Sequence, residues 1–295
     1  MNTENIREAA LRLIKAALTE DIGKGDLTSL GCLDPGPIKA HLVAKSAGVL
    51  SGMVPALHVF DIVDSANRVV PHFKDGESFG VGDIIFDVEG FNQTVLASER
   101  VAINFLAHLS GIASLTNLFV KKVEGTRCRI LDTRKTTPGL RLMEKLAVTH
   151  GGGVNHRIGL YDMVLIKDNH IASAGSIESA VTLMRDYLKS REFRVQFQQD
   201  GDKILIEVEI SNEAELRSAI SCGVDRLLLD NQSGESLARL VPIARSLNPA
   251  VQLEASGNVS LDNVAVIAAT GVDYISVGAI THSAPVSDFS LKVIS

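Results

Sequence analysis

The 295-residue sequence contains no tryptophan, and aromatic residues make up only 4% of it. The core must therefore be packed with aliphatic side chains, which suit a buried parallel sheet covered by helices. The longest run of lysine and arginine is two residues and the formal net charge is −6, which argues against a nucleic-acid-binding surface. Continuous apolar runs fall short of the ~18 residues that a membrane span needs. We therefore expect a protein that binds neither nucleic acid nor a membrane.

Cysteine is also scarce, with Cys32, Cys128 and Cys222 far apart in the chain. An odd number without a C-x-x-C pair makes a disulfide framework or a cysteine zinc site improbable. We interpret the three thiols as reduced packing residues of a cytoplasmic protein rather than as catalytic groups.

The first hundred residues have a mixed α and β pattern. Apolar residues at helical spacing predict an amphipathic opening helix instead of a secretory signal, and a turn-rich stretch follows from Gly23 to Pro37. A long helix is predicted over 98–123, with Ser98 as its N-cap. The strands predicted between these features are 38–43, 68–72 and 83–88, with a helix at 58–64.

From residue 129 onward, strands alternate regularly with helices, which predicts a parallel sheet that is open or closed into a barrel. Thr137 and Pro138 suit the N-cap and the first position of a helix. The polar segment from Arg191 to Asp202 suits a hairpin or loop. The predicted strands are 129–132, 163–166, 204–209, 226–229, 251–254 and 274–277, and the predicted helices are 138–149, 176–189, 212–222, 234–247 and 261–270.

Charged residues follow these strands where each one ends, which is where βα barrels form their active sites. Any one of them alone fits a loop or N-cap residue equally well, but the whole set does not. The early strand ends are cationic and suit carboxylates or phosphates, whereas the late acidic pair suits Mg²⁺ on a phosphate ester. The cations are Arg134, Lys135, His156, Arg157 and Lys167, and the acids are Glu209 and Asp230. We therefore predict a site for one phosphorylated and one acidic substrate.

Glycines add weaker signals near the same strand ends. Ser256-Gly257-Asn258 and Gly278-Ala279 follow late strands, where backbone N–H groups can approach a phosphate, although tight turns explain glycine there equally well. The run from Gly151 to Gly153 suits a helix C-cap and linker, or a hinge that moves the loop carrying His156 and Arg157.

Eight stretches carry a resemblance to a known family, in order along nearly the whole chain. They are GDLTS (25–29), SERVAINFLAHLSGIA (98–113), LDTRKTTPGLR (131–141), GGGVNHRIGLYDMVLIKDNHI (151–171), IEVEI (206–210), LLLDN (227–231), EASGN (254–258) and DYISVGAITHS (273–283). With these motifs the chain resembles the quinolinate phosphoribosyltransferases, and DTRKT, NHR and KDNH together are highly specific.

The resemblance implies an α/β protein with an N-terminal α/β sandwich domain at 1–105 and an incomplete parallel α/β barrel at 106–283. The C-terminal tail, 284–295, is expected to return to the first domain. The resemblance also implies a homodimer, or a larger assembly, in which one subunit contributes an arginine to its neighbour's site. Arg100 matches that arginine.

The implied reaction joins quinolinate to phosphoribosyl pyrophosphate with Mg²⁺, and yields nicotinate mononucleotide, pyrophosphate and CO₂ in NAD biosynthesis. Lys135, Lys167, Glu209 and Asp230 are expected to be catalytic, with the two acids holding the metal or the ribose hydroxyls. The implied substrate-binding residues are Arg100, Thr133, Arg134, Lys135, His156, Arg157, Lys167, Glu209, Asp230, Ser256, Gly257, Asn258, Gly278 and Ala279.

Three other interpretations of the residues stay open. A related phosphoribosyltransferase could act on another ring acid, such as nicotinate, without releasing CO₂. A barrel lyase could use Lys167 as a Schiff-base amine. The third is a metabolite-binding protein on the same fold, although such a protein has no use for both a cationic clamp and a metal pair.

Overall fold

The computed structural model describes residues 3–294, with side chains from residue 6 onward. The chain forms two compact units, each assembled from separate stretches. The first unit comprises the described residues up to Leu118, Lys135–Gly153 and the described residues from Ala279 onward. The second comprises Phe119–Arg134 and Val154–Gly278.

The helices are α1 (Thr3–Ile22), α2 (Leu27–Cys32), α3 (Met53–Val63), α4 (Asn92–Lys122), α5 (Arg141–His150), α6 (Asp168–Ala174), α7 (Ile177–Lys189), α8 (Arg191–Phe197), α9 (Glu213–Ser221), α10 (Gly234–Leu247), α11 (Val264–Ala269) and α12 (Ala279–His282). The strands are β1 (Pro37–Ala44), β2 (Gly48–Val49), β3 (Arg68–Pro71), β4 (Ser78–Phe79), β5 (Ile84–Phe91), β6 (Arg129–Leu131), β7 (Val164–Ile166), β8 (Ile206–Ile210), β9 (Arg226–Asp230), β10 (Gln252–Ser256), β11 (Tyr274–Ser276) and β12 (Phe289–Val293).

The first unit contains a four-stranded antiparallel sheet in the order β12-β1-β5-β3. Every second residue of β1 is buried, the pattern of a sheet with one face on a core. Phe60 of α3 and Phe86 of β5 meet edge to face there, with ring centroids 5.7 Å apart. The C-terminal strand β12 pairs with β1, from Ala44 opposite Phe289 to Ala40 opposite Val293.

The second unit contains a six-stranded parallel sheet in the order β6-β11-β10-β9-β8-β7. Neighbouring strands from β7 to β11 follow chain order, and β6 returns beside β11. Within the described residues no ladder joins β6 to β7, so the ring of strands stays open there. Leu227, Leu229 and Leu253 are fully buried in this sheet. The predicted fold class, an antiparallel α/β unit and an incomplete parallel α/β barrel, is confirmed.

Several predicted helix starts were wrong, among them that of α3, which begins at Met53 rather than at residue 58. Helix α4 begins at Asn92, so Ser98 is a buried interior residue whose hydroxyl donates to the Thr94 carbonyl at 2.7 Å. Val95 is fully buried, so the helix packs against the core from its first turn onward. Helix α5 begins at Arg141 rather than Pro138, because Gly139 adopts a left-handed φ of 85° that interrupts the helix.

The prediction of a loop or hairpin at 191–202 was also wrong, since α8 and a short 3₁₀ turn occupy that segment. Ser190 caps α8 by accepting a hydrogen bond from the Phe193 N–H at 3.1 Å. Phe193 is buried and stacks on Phe197 one turn later, with centroids 5.0 Å apart. This aromatic packing stabilises a helix where the composition indicated a polar loop.

Helix α4 is long and apolar enough to cross a membrane by length and composition alone. However, 61% of its apolar window is buried inside the protein. This burial is typical of the core helix of a soluble protein.

Candidate active site

The carboxyl end of β6 and the segment that follows Val154 carry the cationic part of the site. Asp132, fully buried just after β6, accepts a hydrogen bond from the His156 N–H at 2.8 Å. Arg157 follows, and its guanidinium donates to the Met163 carbonyl at 3.3 Å. Burial lowers the pKa of Arg157 from its ordinary value, and the positive charge of Arg134 lowers it further. The positive charges of Arg134 and Arg157 therefore repel one another, and an anionic ligand would relieve that repulsion.

The acidic part of the site lies at the ends of β8 and β9. Glu209 forms an ion pair with Lys167, in which Lys167 Nζ lies 3.4 Å from Glu209 Oε2. The Asp230 carboxylate receives hydrogen bonds from the Ser256 hydroxyl and from the Asn231 amide, the latter at 2.7 Å. Since parallel strands end at one edge of their sheet, these groups project from the same edge as the cations.

Two histidines fix the backbone next to two of the cations. His156 Nδ1 accepts the N–H of Arg157 at 2.7 Å, and His170 Nδ1 accepts the N–H of Lys167 at 2.9 Å. The contact of His170 also closes the first turn of α6, a helix that the sequence pattern did not predict. Each histidine therefore orients the chain at a cation of the predicted site.

A cluster of buried charged groups lies behind this edge of the sheet. His156 Nε2 is 3.1 Å from Glu207 Oε2 and 3.3 Å from Glu254 Oε2, and Arg226 contacts the same Glu254 oxygen at 3.2 Å. The side chains of Glu207 and Glu254 are 0% and 1% exposed, and that of His156 is 8% exposed. The alternation of IEVEI puts Glu207 on the face of β8 that carries Glu209 but gives it no role of its own, and nothing in the pattern distinguished Arg226 from an ordinary strand residue.

Proton placement in this cluster follows from its contacts. Burial opposes a charged imidazole, but Glu207 and Glu254 outweigh it and raise the pKa of His156 to about 9. In the observed geometry, however, Nδ1 accepts the Arg157 N–H and so carries no proton, which makes the ring the neutral Nε2–H tautomer. Burial raises the pKa of Glu207, whose Oε1 has no hydrogen-bond partner within the described residues, so a proton there balances the cluster.

Two sets of side chains have the chemistry of metal ligands. Glu209 and Asp230 offer carboxylates at neighbouring strand ends, which fits Mg²⁺ completed by substrate phosphates. The ligand atoms of His156, Glu207 and Glu254 also lie within 4.8 Å of one another. Because Arg226 already neutralises Glu254, and the imidazole is at N–H···O distance from both acids, hydrogen bonding accounts for this second group.

The surroundings of Gly257, after β10, leave no room for a side chain. Gly257 has a φ of 90°, and a Cβ there would lie 2.1 Å from Asn231 Oδ1. Asn231 and Asn258 also have positive φ, each of 51°, so the ends of β9 and β10 form tightly turned backbone. Asn231 is a site residue that sequence reasoning missed, although LLLDN contained it.

The run of glycines after α5 has a packing role. A Cβ on Gly151 would lie 2.3 Å from the Ala113 carbonyl oxygen, and one on Gly153 would lie 2.7 Å from a Thr116 side-chain atom. Gly151 is also the C-cap of α5. These contacts favour the C-cap and linker interpretation over a mobile hinge.

The predicted site residues divide between the two units. The second unit brings together Lys167 with Glu209, Asp230 with Ser256, and Arg134 with Arg157. The first unit contains three of them, Arg100 (exposed on α4), Lys135 (exposed, its carbonyl accepting the Thr281 hydroxyl at 2.8 Å) and Ala279 (the first residue of α12). Thr133 is half-buried between Asp132 and Arg134, and Gly278 is the last residue of the second unit.

These observations define an α/β enzyme of the barrel class. Its parallel sheet presents paired guanidinium groups and a carboxylate pair at the edge where such folds carry out chemistry. That combination suits the transfer of a phosphorylated group to an acidic acceptor.

Comparison with known proteins identifies the family within this class. The family model described as the C-terminal domain of quinolinate phosphoribosyl transferase matches residues 112–292, and the N-terminal domain model matches residues 26–110. The chain belongs to the quinolinate phosphoribosyl transferase family.

Individual relatives agree over nearly the full length. A probable nicotinate-nucleotide pyrophosphorylase [carboxylating] from Bacillus subtilis is 40% identical over 283 residues, which are 96% of this chain and 92% of the relative. The solved nicotinate-nucleotide pyrophosphorylase of Francisella tularensis superposes with a TM-score of 0.89 at 38% identity, covering 97% of this chain and 96% of the other. The solved nicotinate-nucleotide pyrophosphorylase of Ehrlichia chaffeensis superposes with a TM-score of 0.87 at 39% identity, covering 96% of this chain and 98% of the other.

Proposed function

We propose that this enzyme transfers the phosphoribosyl group of phosphoribosyl pyrophosphate to quinolinate with loss of CO₂, giving nicotinate mononucleotide for NAD biosynthesis. Its family and its near-full-length relatives, which are named for this reaction, support the activity. The paired guanidinium groups of Arg134 and Arg157, whose mutual repulsion an anion relieves, carry the argument from the site itself.

Quinolinate has two adjacent carboxylates, and two arginine forks close together can bind both. Arg134 and Arg157 are assigned to this clamp, with Thr133 beside them in the chain. The phosphoribosyl pyrophosphate side is assigned to Lys135, Lys167, Glu209 and Asp230. The 5′-phosphate is assigned to the tightly turned backbone at Ser256–Asn258 and to the backbone at Gly278–Ala279, since N–H groups that approach closely suit a phosphate.

Mg²⁺ is the proposed metal, held by Glu209 and Asp230, and when bound it neutralises charge on the pyrophosphate. The pyridine nitrogen attacks the anomeric carbon as the bond to pyrophosphate breaks, so the protein supplies no nucleophile. Lys135 and Lys167 stabilise the charge of the departing pyrophosphate, and the remaining site residues hold the reactants in line. Loss of CO₂ then leaves its electron pair on the ring carbon next to the quaternary nitrogen, and that carbon takes up a proton.

The proposed assembly is a homodimer, or a larger oligomer, in the cytoplasm. Arg100 of the partner subunit completes the quinolinate clamp in this proposal, and its exposure on α4 is consistent with that role. Mixing inactive Arg100→Ala and Lys167→Ala proteins should restore activity, because hybrid dimers contain one intact site. If the mixture stays inactive although subunits exchange, Arg100 acts in its own subunit.

The activity is tested with purified protein, phosphoribosyl pyrophosphate, Mg²⁺ and quinolinate labelled with ¹³C in the 2-carboxylate. We expect nicotinate mononucleotide and labelled CO₂ in equal amounts, and no product when nicotinate replaces quinolinate. Arg134→Ala should raise the KM for quinolinate steeply or abolish turnover. Arg129→Ala is the matched control, since Arg129 is exposed at the opposite end of the same stretch. Folded wild-type protein without product would refute the proposal.

A further inference from the structure

The buried charged cluster suggests a role for His156 that differs from direct contact with substrate. We infer that His156, Glu207, Glu254 and Arg226 form a positioning device that fixes the backbone of Arg157, so that its guanidinium meets the acceptor's carboxylate. The inference rests on the proposed function for the identity of that acceptor. The fixed backbone itself does not depend on it.

The backbone N–H and both ring nitrogens of His156 already have partners within the protein. Its N–H donates to Asp132 at 2.8 Å, Nδ1 accepts the Arg157 N–H at 2.7 Å, and Nε2 faces two buried carboxylates. Only 8% of the side chain is exposed. Because both ring nitrogens are already bonded within the protein, the imidazole has no polar atom to offer a substrate carboxylate.

The carboxylates are themselves held by several strands. Glu207 lies on β8 and Glu254 on β10, so the ring is attached to two strands at once. Arg226 of β9 lies between these strands in the sheet and bonds Glu254 at 3.2 Å. Its guanidinium is fixed in turn by Gln252 at 2.9 Å and by the Tyr274 ring, 4.3 Å from the guanidinium carbon to the ring centroid.

This chain of contacts ends at Arg157, whose guanidinium must be placed accurately to meet a carboxylate. The Arg157 N–H is held by His156, and its guanidinium is held by the Met163 carbonyl. A bidentate pair between guanidinium and carboxylate tolerates displacements of only about 0.5 Å. Loss of the His156 contact should therefore weaken acceptor binding even though the lost contact lies behind the arginine.

Direct contact and positioning predict different behaviour for two conservative variants. Glu254→Gln changes a side chain that is 1% exposed, so it can affect acceptor binding only through its neighbours. His156→Asn keeps a side-chain oxygen near the position of Nδ1, able to accept the Arg157 N–H, but removes the imidazole. His156→Ala removes both.

Two measurements on the full-length protein test the inference. Calorimetric Kd values for quinolinate should rise about tenfold or more in His156→Ala and Glu254→Gln, as is typical when supporting contacts are lost. The double variant His156→Ala/Glu254→Gln should be no weaker than the weaker single variant. His156→Asn should recover only part of the affinity, because it keeps an acceptor for the Arg157 N–H but loses the contacts to Glu207 and Glu254. Affinity for phosphoribosyl pyrophosphate should stay unchanged throughout, as a check that the site is folded.

Amide hydrogen exchange at Arg157, measured without ligand, provides the second readout. We expect slow exchange in wild type, intermediate exchange in His156→Asn, and fast exchange in His156→Ala and Glu254→Gln. Additive losses of affinity, or equal losses in the asparagine and alanine variants with unchanged exchange, would overturn the inference. A wild-type protein that binds no quinolinate but shows the expected exchange pattern would instead overturn the proposed function.

Discussion

Histidine meets carboxylate in both units of the molecule, in opposite surroundings. His156 contacts Glu207 and Glu254 inside the second unit, where no side chain of the three is more than 8% exposed. On the sheet of the first unit, Asp87 bonds both His41 and His72, and these side chains are 27% to 42% exposed. The two clusters differ in burial and in composition, since Asp87 faces two histidines whereas Glu207 lies beside a second carboxylate.

The two carboxylate pKa values move in opposite directions. Burial raises the pKa of Glu207, and the charge of Glu254 adds to the shift. Burial also acts to raise the pKa of Asp87, but bonds from His72 and His41 outweigh it and the net pKa is lowered. Asp87 keeps its water and stays charged beside its histidines, whereas Glu207, which is buried next to the charge of Glu254, favours a proton.

The largest expected effect comes from breaking the buried cluster. Arg226→Met keeps most of the side-chain volume but leaves Glu254 without its guanidinium partner, which should lower the free energy of unfolding by about 3 kcal/mol. Urea denaturation measures the change. Arg217→Met is the control, since Arg217 forms an exposed ion pair with Glu213 and should have almost no effect. Equal losses in the two variants would show that burial does not distinguish these ion pairs.

The next effect compares two glycines with the same backbone conformation. Gly257 at the strand end and Gly82 in the first unit have φ values of 90° and 92°. A Cβ at Gly257 meets Asn231 Oδ1 at 2.1 Å, whereas a Cβ at Gly82 meets nothing within 4 Å. Gly82→Ala should therefore cost only the left-handed strain, about 1 kcal/mol.

Gly257→Ala should cost more than Gly82→Ala in urea denaturation. It should also raise the Kd for phosphoribosyl pyrophosphate, because Asn231 must move and it bonds Asp230. A Gly257→Ala protein with unchanged Kd would remove this turn from the proposed phosphate site.

The same contrast explains how far the sequence predicts this molecule. Regular alternation located all six parallel strands to within about two residues, because buried strands flanked by helices leave a periodic pattern. The candidate site could be predicted in the same way, because its polar residues follow directly after those strands. Local pattern failed where tertiary packing decides, as at Ser98, which lies inside a helix that Val95 extends by its burial.

Burial of charge was equally invisible in the sequence. The pattern IEVEI put Glu207 and Glu209 on one face of β8, but only the fold shows that Glu207 is 0% exposed and Glu209 is 15% exposed. Spacing identifies the face of a strand, whereas desolvation depends on the neighbouring strands and on the segment that carries His156. The sequence therefore predicted His156 as a substrate ligand, since it could not show that the side chain is buried. The affinity and hydrogen-exchange measurements distinguish that role from the positioning role.

A smaller effect on the free energy of unfolding is expected when the pH is lowered, and it comes from Asp87. The folded pKa of Asp87 is lowered, so its contribution to stability is present above the ordinary pKa of 3.8 and is lost as pH falls below that value. Stability of the wild type should therefore decline more steeply than that of Asp87→Asn between about pH 5 and pH 3. Urea denaturation across this range measures the slopes, with Asp61→Asn on α3 as the control. Parallel curves for wild type and Asp87→Asn would contradict the shift.

The smallest effect concerns the thiols, which repeat the contrast between buried and exposed copies of one residue type. Burial and the charge of Asp273 raise the pKa of Cys128 to about 12, so almost no thiolate forms there at neutral pH. Cys32 is exposed at the end of α2. Iodoacetamide should therefore label Cys32 in the native protein and Cys128 only after unfolding, as peptide mass spectrometry can follow, and Cys32→Ser should remove the fast reaction. Native labelling of Cys128 at the rate of Cys32 would mean that the start of β6, which leads into the cationic strand end, opens to solvent.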